Sequence, residues 1–312
     1  MDAQERYYWD IAGHLVVRNV LTPEEIQAAN EALDYAQQWV ATGEEDGGAG
    51  HSTFLKGAGA RWYKGDNLLN IEKPYCNIIR TMLAHPKVIS RLKVMCGPGF
   101  RLDHGPQFNN ATKGTVGLTL HGSGEPHRPY VAYHHQAGET HCGGVTVTWN
   151  LTDCPAGGGG FACVPGSHKS KFPMPDGVRY CDKDMGTVIQ PEAKAGDVLF
   201  FMDGAQTHGT HPWTNDHERR SILFKFASRT ATRGGQSAIV ADPEIYWDKA
   251  IVDGMTDEQR AVMYGPYSGH GGRVPYLNVE NDGTIQAEGK KPTAKAVEEA
   301  KVEGTLPIAK SA

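Results

Sequence analysis

The sequence predicts a mostly β fold, a sandwich or barrel with helices on its flank. Three observations predict it. The chain's 38 Gly and 18 Pro are concentrated between about residue 100 and residue 215, as in domains of short strands joined by tight turns. Short β-type runs recur over the same stretch, separated by turn signals such as Cys154-Pro155-Ala156-Gly157 and Pro165-Gly166-Ser167. The first hundred residues instead carry apolar residues at helical spacing. At 312 residues the chain is long enough for one large all-β unit with a sizeable core.

Taken in order, a short helix around Ala3–Trp9 leads into a first strand over Leu15-Val16-Val17. Thr22-Pro23-Glu24-Glu25 combines an N-cap Thr, a Pro at the first helical position and a Glu three residues after the cap, which is a capping box. A helix is expected from about Pro23 to Thr42, with Ile26, Ala29, Leu33 and Ala36 facing a core. Gly43–Ser52 reads as a loop, and helical segments follow through Ile78–Met82 and Pro86–Met95. Strands are expected at Gly117–Leu120, Gly144–Asn150, Phe161–Val164, Thr187–Ile189, Asp197–Met202 and Ser221–Ala227. Leu277–Val279 and Thr284–Ile285 flank the hairpin turn Asn281-Asp282-Gly283. The expectation is one domain over residues 1–290: a helical flank to about residue 99, a β core over about 100–230 and an extension over 231–290. Residues 293–303 fit a surface helix within a tail over 291–312 that frays at its end.

Composition narrows the function. With 31 Lys and Arg against 36 Asp and Glu, the net charge is −5, and no basic face for nucleic acid is expected. The N-terminal residues Met1–Arg6 lack the apolar core of a signal peptide, and no run approaches transmembrane length, so a cytoplasmic protein without a membrane partner is expected. Cys76, Cys96, Cys142, Cys154, Cys163 and Cys181 form no CxxC pair, which argues for free thiols rather than zinc ligands. His121-Gly122-Ser123-Gly124-Glu125 lacks the flanking glycines of a serine elbow, and Gly157–Gly160 lacks the Lys-Ser/Thr of a phosphate loop.

Two histidines stand out among the 14. His121 follows Val116-Gly117-Leu118-Thr119-Leu120, and His208 comes soon after Val198-Leu199-Phe200-Phe201-Met202, so each sits beyond a strand-like run where a turn begins. Two such imidazoles can converge on one ion, and two His plus a carboxylate on one face leave open positions for an oxygenase iron. Arg219 lies eleven positions after His208, entering the next strand with Ser221 close by. A buried Arg beside a hydroxyl suits a carboxylate, such as that of a keto-acid cosubstrate. The competing reading pairs Arg219 with Asp216 or Glu218 at the surface. His127-Arg128-Pro129-Tyr130 and Tyr133-His134-His135-Gln136 lie in a long connection after His121, where Arg128, Tyr133 and His135 are candidates to line a pocket mouth for a small polar or anionic substrate.

Several segments together resemble the phytanoyl-CoA dioxygenase family of iron(II)/2-oxoglutarate oxygenases. They are Gly13-His14-Leu15-Val16-Val17, Leu21-Thr22-Pro23-Glu24-Glu25, Trp149-Asn150-Leu151-Thr152-Asp153, Val164-Pro165-Gly166-Ser167-His168-Lys169, Ala195-Gly196-Asp197-Val198-Leu199-Phe200-Phe201, His208-Gly209 and Arg219-Arg220-Ser221. The resemblance covers most of residues 5–230. It implies a double-stranded β-helix, the cupin-like jelly roll. It also implies a dioxygenase that uses Fe(2+), 2-oxoglutarate and O2 on a small molecule, releasing succinate. His121 and His208 would be metal ligands, Arg219 and Ser221 would grip the far carboxylate of 2-oxoglutarate, and Trp149 would line the cosubstrate pocket. His168 would belong to a structural turn.

In one place the chain departs from the family pattern. The family usually reads His-x-Asp at the first metal site, whereas the same register here gives His121-Gly122-Ser123. Three readings stay open. Glu125, or else Glu139 or Asp103, is the third ligand; Ser123 leaves a position for chloride, as in the related halogenases; or the third ligand is a nitrogen from His127, His134, His135 or His141. A jelly roll that binds without catalysis is the alternative from another class.

Overall fold

The structure, a computed structural model, describes residues 1–37, 48–58, 62–64, 68–122, 131–231, 242–266 and 275–289. Helix α1 (Ala3–Ala12) is capped by Asp2 and closes on Gly13, whose φ of 76° turns the chain into β1 (His14–Val17). Helix α2 (Pro23–Gln37) starts on the capping box expected from the sequence. The Thr22 hydroxyl accepts from the Glu25 amide at 3.2 Å, and the Glu25 carboxylate accepts from the Thr22 amide at 2.9 Å. Its buried face is Ala29, Ala32, Leu33 and Ala36, with Ile26 at the edge. Helices α3 (Cys76–Leu83) and α4 (Pro86–Cys96) complete the flank.

The β core follows as β2 (Trp62–Lys64), β3 (Arg101–Ala111), β4 (Leu118–His121), β5 (Tyr133–Gln136), β6 (Glu139–Cys142), β7 (Gly144–Asn150), β8 (Gly160–Cys163), β9 (Val198–Phe201), β10 (His208–His211) and β11 (Arg219–Ala227). Among the described residues the larger sheet runs β1-β9-β7-β11-β3-β2 and the smaller β4-β10-β8, all neighbours antiparallel, which is a jelly roll. Period-two alternation sorts the side chains of the central strands. Val145, Val147 and Trp149 of β7, with Ile222, Phe224 and Phe226 of β11, join the helices in the main core. Thr146, Thr148 and Asn150, opposite Lys225, Leu223 and Ser221, point the other way, into the space between the sheets. There the rings of Phe161 on β8 and Phe201 on β9 lie 4.6 Å apart and bridge the two sheets.

Three features depart from the sequence expectation. β3 lies between β2 and β11 in the larger sheet, although Arg101–Ala111 carries polar residues, a Gly and a Pro. Its pairing with β11 slips between Gln107 and His104, and Pro106 falls in that irregularity, where a ladder tolerates it. Thr187–Ile189 is not a strand: Ile189 makes an isolated bridge to Cys163. β5 and β6 form a separate hairpin after His121. The hairpin expected near the C-terminus is present as β12 (Tyr276–Val279) and β13 (Ile285–Glu288). The end expected for the second helix near Thr42, most of the loop after it and the helix expected at 293–303 lie outside the described residues. All six cysteines are free thiols, and no described helix is long and apolar enough to cross a membrane.

Candidate active site

The antiparallel pairing of β4 with β10 sets His121 directly opposite His208, so both imidazoles project from one face. Their ring centroids are 4.3 Å apart. Gly122 permits this approach: its φ is 93°, and a Cβ there would sit 2.3 Å from the Gln206 carbonyl oxygen. Nδ1 of His121 lies 3.0 Å from the Thr119 carbonyl, and Nδ1 of His208 lies 2.8 Å from that of Gln206. A carbonyl only accepts, so each Nδ1 carries a proton, and in a neutral ring the lone pair then falls on Nε2, the tautomer a metal ligand needs. Burial, and secondly the neighbouring His121, push the pKa of His208 down to about 3, while Asp203 and the Gln206 carbonyl act the other way. His208 is therefore a neutral imidazole at ordinary pH.

The loop that presents His208 is held from several sides. The Gln206 side chain donates to Ala12 O at 2.7 Å, the Thr207 amide donates to Ser167 Oγ at 2.8 Å, and the Val164 amide donates to Thr207 O at 3.0 Å. Ser167 belongs to the Pro165–Lys169 turn, and His168 in that turn lies 2.8 Å from Asp10 O, far from a ligand's role. Phe201, with its ring 4.7 Å from that of His208, walls the site with apolar surface.

Arg219 is 4 % exposed at the start of β11, on the same inward face as Ser221. Its Nη1 donates to Asn109 Oδ1 at 3.3 Å, and Ser221 Oγ donates to Asn109 O at 2.9 Å. The acids of the competing reading are engaged elsewhere: Asp216 with Lys113 at 2.6 Å, Glu218 with Arg220 at 2.7 Å. Among the described residues Arg219 meets no carboxylate within ion-pair distance, and its Nε has no hydrogen-bond partner. A buried guanidinium without a counter-charge is costly unless an anionic ligand supplies one. Thr210 and His211 border the same recess, two and three residues along β10 from His208, or roughly 7–10 Å at the rise of a strand.

Other sequence candidates fall elsewhere. Trp149 does not face this site. It points into the helix-side core, fully buried, with its ring 5.6 Å from that of His85 and 6.3 Å from that of Phe224, because residue 149 alternates away from the inward Thr148 and Asn150. The hydroxyl of Tyr133 donates to the Asp10 carboxylate, and its ring packs 4.9 Å from that of His168. His135 is exposed, with Nδ1 3.0 Å from Thr140 Oγ1 on its own hairpin. Asp103 is engaged by Arg101 at 2.6 Å and His104 at 2.7 Å, and the Glu139 side chain is 77 % exposed beside His141. His134 and His141 line a cavity of about 400 Å³ with Arg229 and the end of α4. Ser123, Glu125, His127 and Arg128 lie outside the described residues. Among the described residues no three His, Cys, Asp or Glu side chains form a ready-made metal-holding group.

Sequence reasoning missed Asn109, which fixes both Arg219 and Ser221, because β3 was not recognisable as a strand. It also missed Asp203, whose Oδ1 is 3.9 Å from His208 Nε2. The only signal for Asp203 was an acid five residues before the distal His.

Comparison with known proteins agrees with this fold. The family model described as Phytanoyl-CoA dioxygenase (PhyH) matches residues 9–221. No curated protein matches the chain. Among solved structures, HygX from Streptomyces hygroscopicus with nickel and 2-oxoglutarate bound aligns with a TM-score of 0.59 at 19 % identity, over 73 % of this chain and 87 % of that one. The non-heme alpha ketoglutarate dependent epimerase SnoN from nogalamycin biosynthesis aligns with a TM-score of 0.54 at 19 % identity, over 74 % and 85 %. The carbocyclase SnoK from the same biosynthesis gives 0.53 at 16 % identity, over 76 % and 88 %. At these identities the likeness is one of fold, and the family match over most of the chain carries the assignment: the protein belongs to the phytanoyl-CoA dioxygenase family of 2-oxoglutarate-dependent oxygenases.

Proposed function

We propose that the protein is an iron(II)/2-oxoglutarate dioxygenase that hydroxylates a small molecule and releases succinate. The observation that carries this reading is the pairing of two cross-strand imidazoles, His121 and His208, with a buried Arg219 that meets no carboxylate among the described residues. The donor set fits iron: both imidazoles are oriented by donating Nδ1–H to backbone carbonyls, and the wall beside His208 is aromatic. Bound iron(II), with 2-oxoglutarate and O2, would supply the oxidation of a substrate C–H bond.

The chain's own part is orientation and exclusion of water. Arg219 receives the far carboxylate of 2-oxoglutarate, with Asn109 fixing the guanidinium and Ser221 fixed beside it. The keto-acid end then reaches along β10 toward the two imidazoles. Phe161 and Phe201 keep water from the reacting centre. Val131, just before β5, packs against Gly204, where a Cβ would lie 2.9 Å from the valine.

The test is turnover of 2-oxoglutarate to succinate by the purified protein with iron(II), with and without chloride. His208→Ala and Arg219→Ala are each expected to lower turnover by about 10²-fold or more, Arg219→Ala chiefly by raising the KM for 2-oxoglutarate. Turnover unchanged in both variants would overturn this assignment of the site. A chlorinated product appearing only with chloride would make Ser123 the mark of a halogenase instead.

A further inference from the structure

We propose that Asp203 supplies the carboxylate of the metal centre, in place of the one the chain lacks after His121. The inference rests on the reading of His121 and His208 as metal ligands and adds the third. Asp203 lies in the loop between β9 and β10, five residues before His208, so the distal histidine and the carboxylate come from one loop. Asp203 Oδ1 stands 3.9 Å from His208 Nε2. Two metal–ligand bonds of about 2.1 Å span at most about 4.2 Å, so one ion can touch both atoms. Movement of the carboxylate by roughly 1 Å within its rotamer well brings the pair to the spacing of adjacent ligands.

The surroundings are those of an oriented monodentate ligand. Asp203 is 7 % exposed. Its second oxygen, Oδ2, accepts from Thr146 Oγ1 at 2.8 Å and lies 3.4 Å from Lys225 Nζ. Outer partners of this kind fix the direction of a ligating carboxylate. Thr146 and Lys225 face each other across β7 and β11 on the inward side of the sheet, so the partners are presented by the rigid part of the fold. The loop itself is confined at Gly204, with φ 85° and Val131 against its α-carbon. Two imidazoles and one carboxylate make the donor set suited to a divalent iron that keeps open positions. Asp103 and Glu139 are held away by their own partners and exposure.

Anaerobic titration of the full chain with cobalt(II), followed by visible absorption and calorimetry, tests this without turnover. Wild type is expected to bind cobalt, and Asp203→Asn, which preserves the shape of the side chain, to bind at least tenfold more weakly with an altered d–d band. Asp203→Glu is expected to bind with a shifted band, an answer that stands even if the amide variant does not fold. Wild-type affinity and an unaltered band in both variants would overturn the proposal. So would loss of cobalt binding in Glu125→Gln while Asp203→Asn binds normally. If wild type itself binds no cobalt, the metal reading of the two histidines fails and the proposal with it, whereas a failure confined to the Asp203 variants leaves that reading intact.

Discussion

Trp149 shows how far one residue's role depends on which way its strand turns it. The tryptophan sits between Ile222 and Val198 in the ladder, one step out of phase with Thr148 and Asn150, so its indole joins the helix-side core. Full burial of a large aromatic is worth about 3–5 kcal/mol on truncation to Ala, and Trp149→Phe removes part of that, about 1–2 kcal/mol. Urea unfolding of Trp149→Phe is expected to show that loss, while titration with 2-oxoglutarate gives an unchanged Kd. A weaker Kd with stability retained would return Trp149 to the cosubstrate pocket. His121, His208 and Arg219 were legible because a strand-end histidine and an Arg eleven residues later are local patterns. Asp203 and Asn109 were not, since only the β9–β10 loop and the pairing of β3 with β11 bring them to the site. The carboxylate missing after His121 was visible in the sequence as a gap, and its replacement was visible only in space.

The elements around the site are joined by a buried carboxylate at the root of β9. Asp197 accepts from the Lys194 amide at 2.8 Å, the Arg18 guanidinium at 2.7 Å and the Asn19 amide at 2.9 Å, which ties the end of β1 to the start of β9. Burial alone would raise its pKa. The hydrogen bonds from Lys194, Arg18 and Asn19, with the charge of Arg18, outweigh that and hold it below the ordinary value of 3.8. Arg18 is half exposed, so solvent screens its share of the effect. A carboxyl with a depressed folded pKa stabilises fully above its unfolded pKa and loses that contribution as the pH falls through the folded one. Asp197→Asn is expected to cost about 1–3 kcal/mol at pH 6, with the difference from wild type narrowing below about pH 4. Urea midpoints measured from pH 6 to pH 3 check this, and a gap constant across that range would contradict it. Helix starts were readable at this scale because a capping box is local, as at Thr22 and Glu25. β3 was not, since its strand character comes from its neighbours in the sheet and its own residues are polar.

The whole molecule is packed around one large core that draws on both ends of the described chain. Trp9 in α1, Leu33 in α2, Ile79 in α3, Leu92 in α4 and Phe224 in β11 belong to the same buried cluster as Val262 and Leu277. Leu277 lies beyond residues 9–221, the stretch shared with the family, yet it is 1 % exposed and its strand β12 packs on α4 and on the short helix α5 (Asp257–Ala261). Arg229, just after β11, adds a cation–π contact to the Tyr276 ring at 5.7 Å. The flank, the jelly roll and the C-terminal extension should therefore unfold as the single domain expected from the sequence, since separate units would not share buried side chains. Leu277→Ala then leaves a cavity in the common core and is expected to cost about 2–5 kcal/mol. Calorimetry of wild type and variant is expected to give one transition with equal calorimetric and van't Hoff enthalpies, moved to lower temperature as a whole. Were the extension an independent appendage, Leu277→Ala would lower only a minor early transition. The main one, reporting the sheets that carry His121, His208 and Arg219, would stay where it is in wild type.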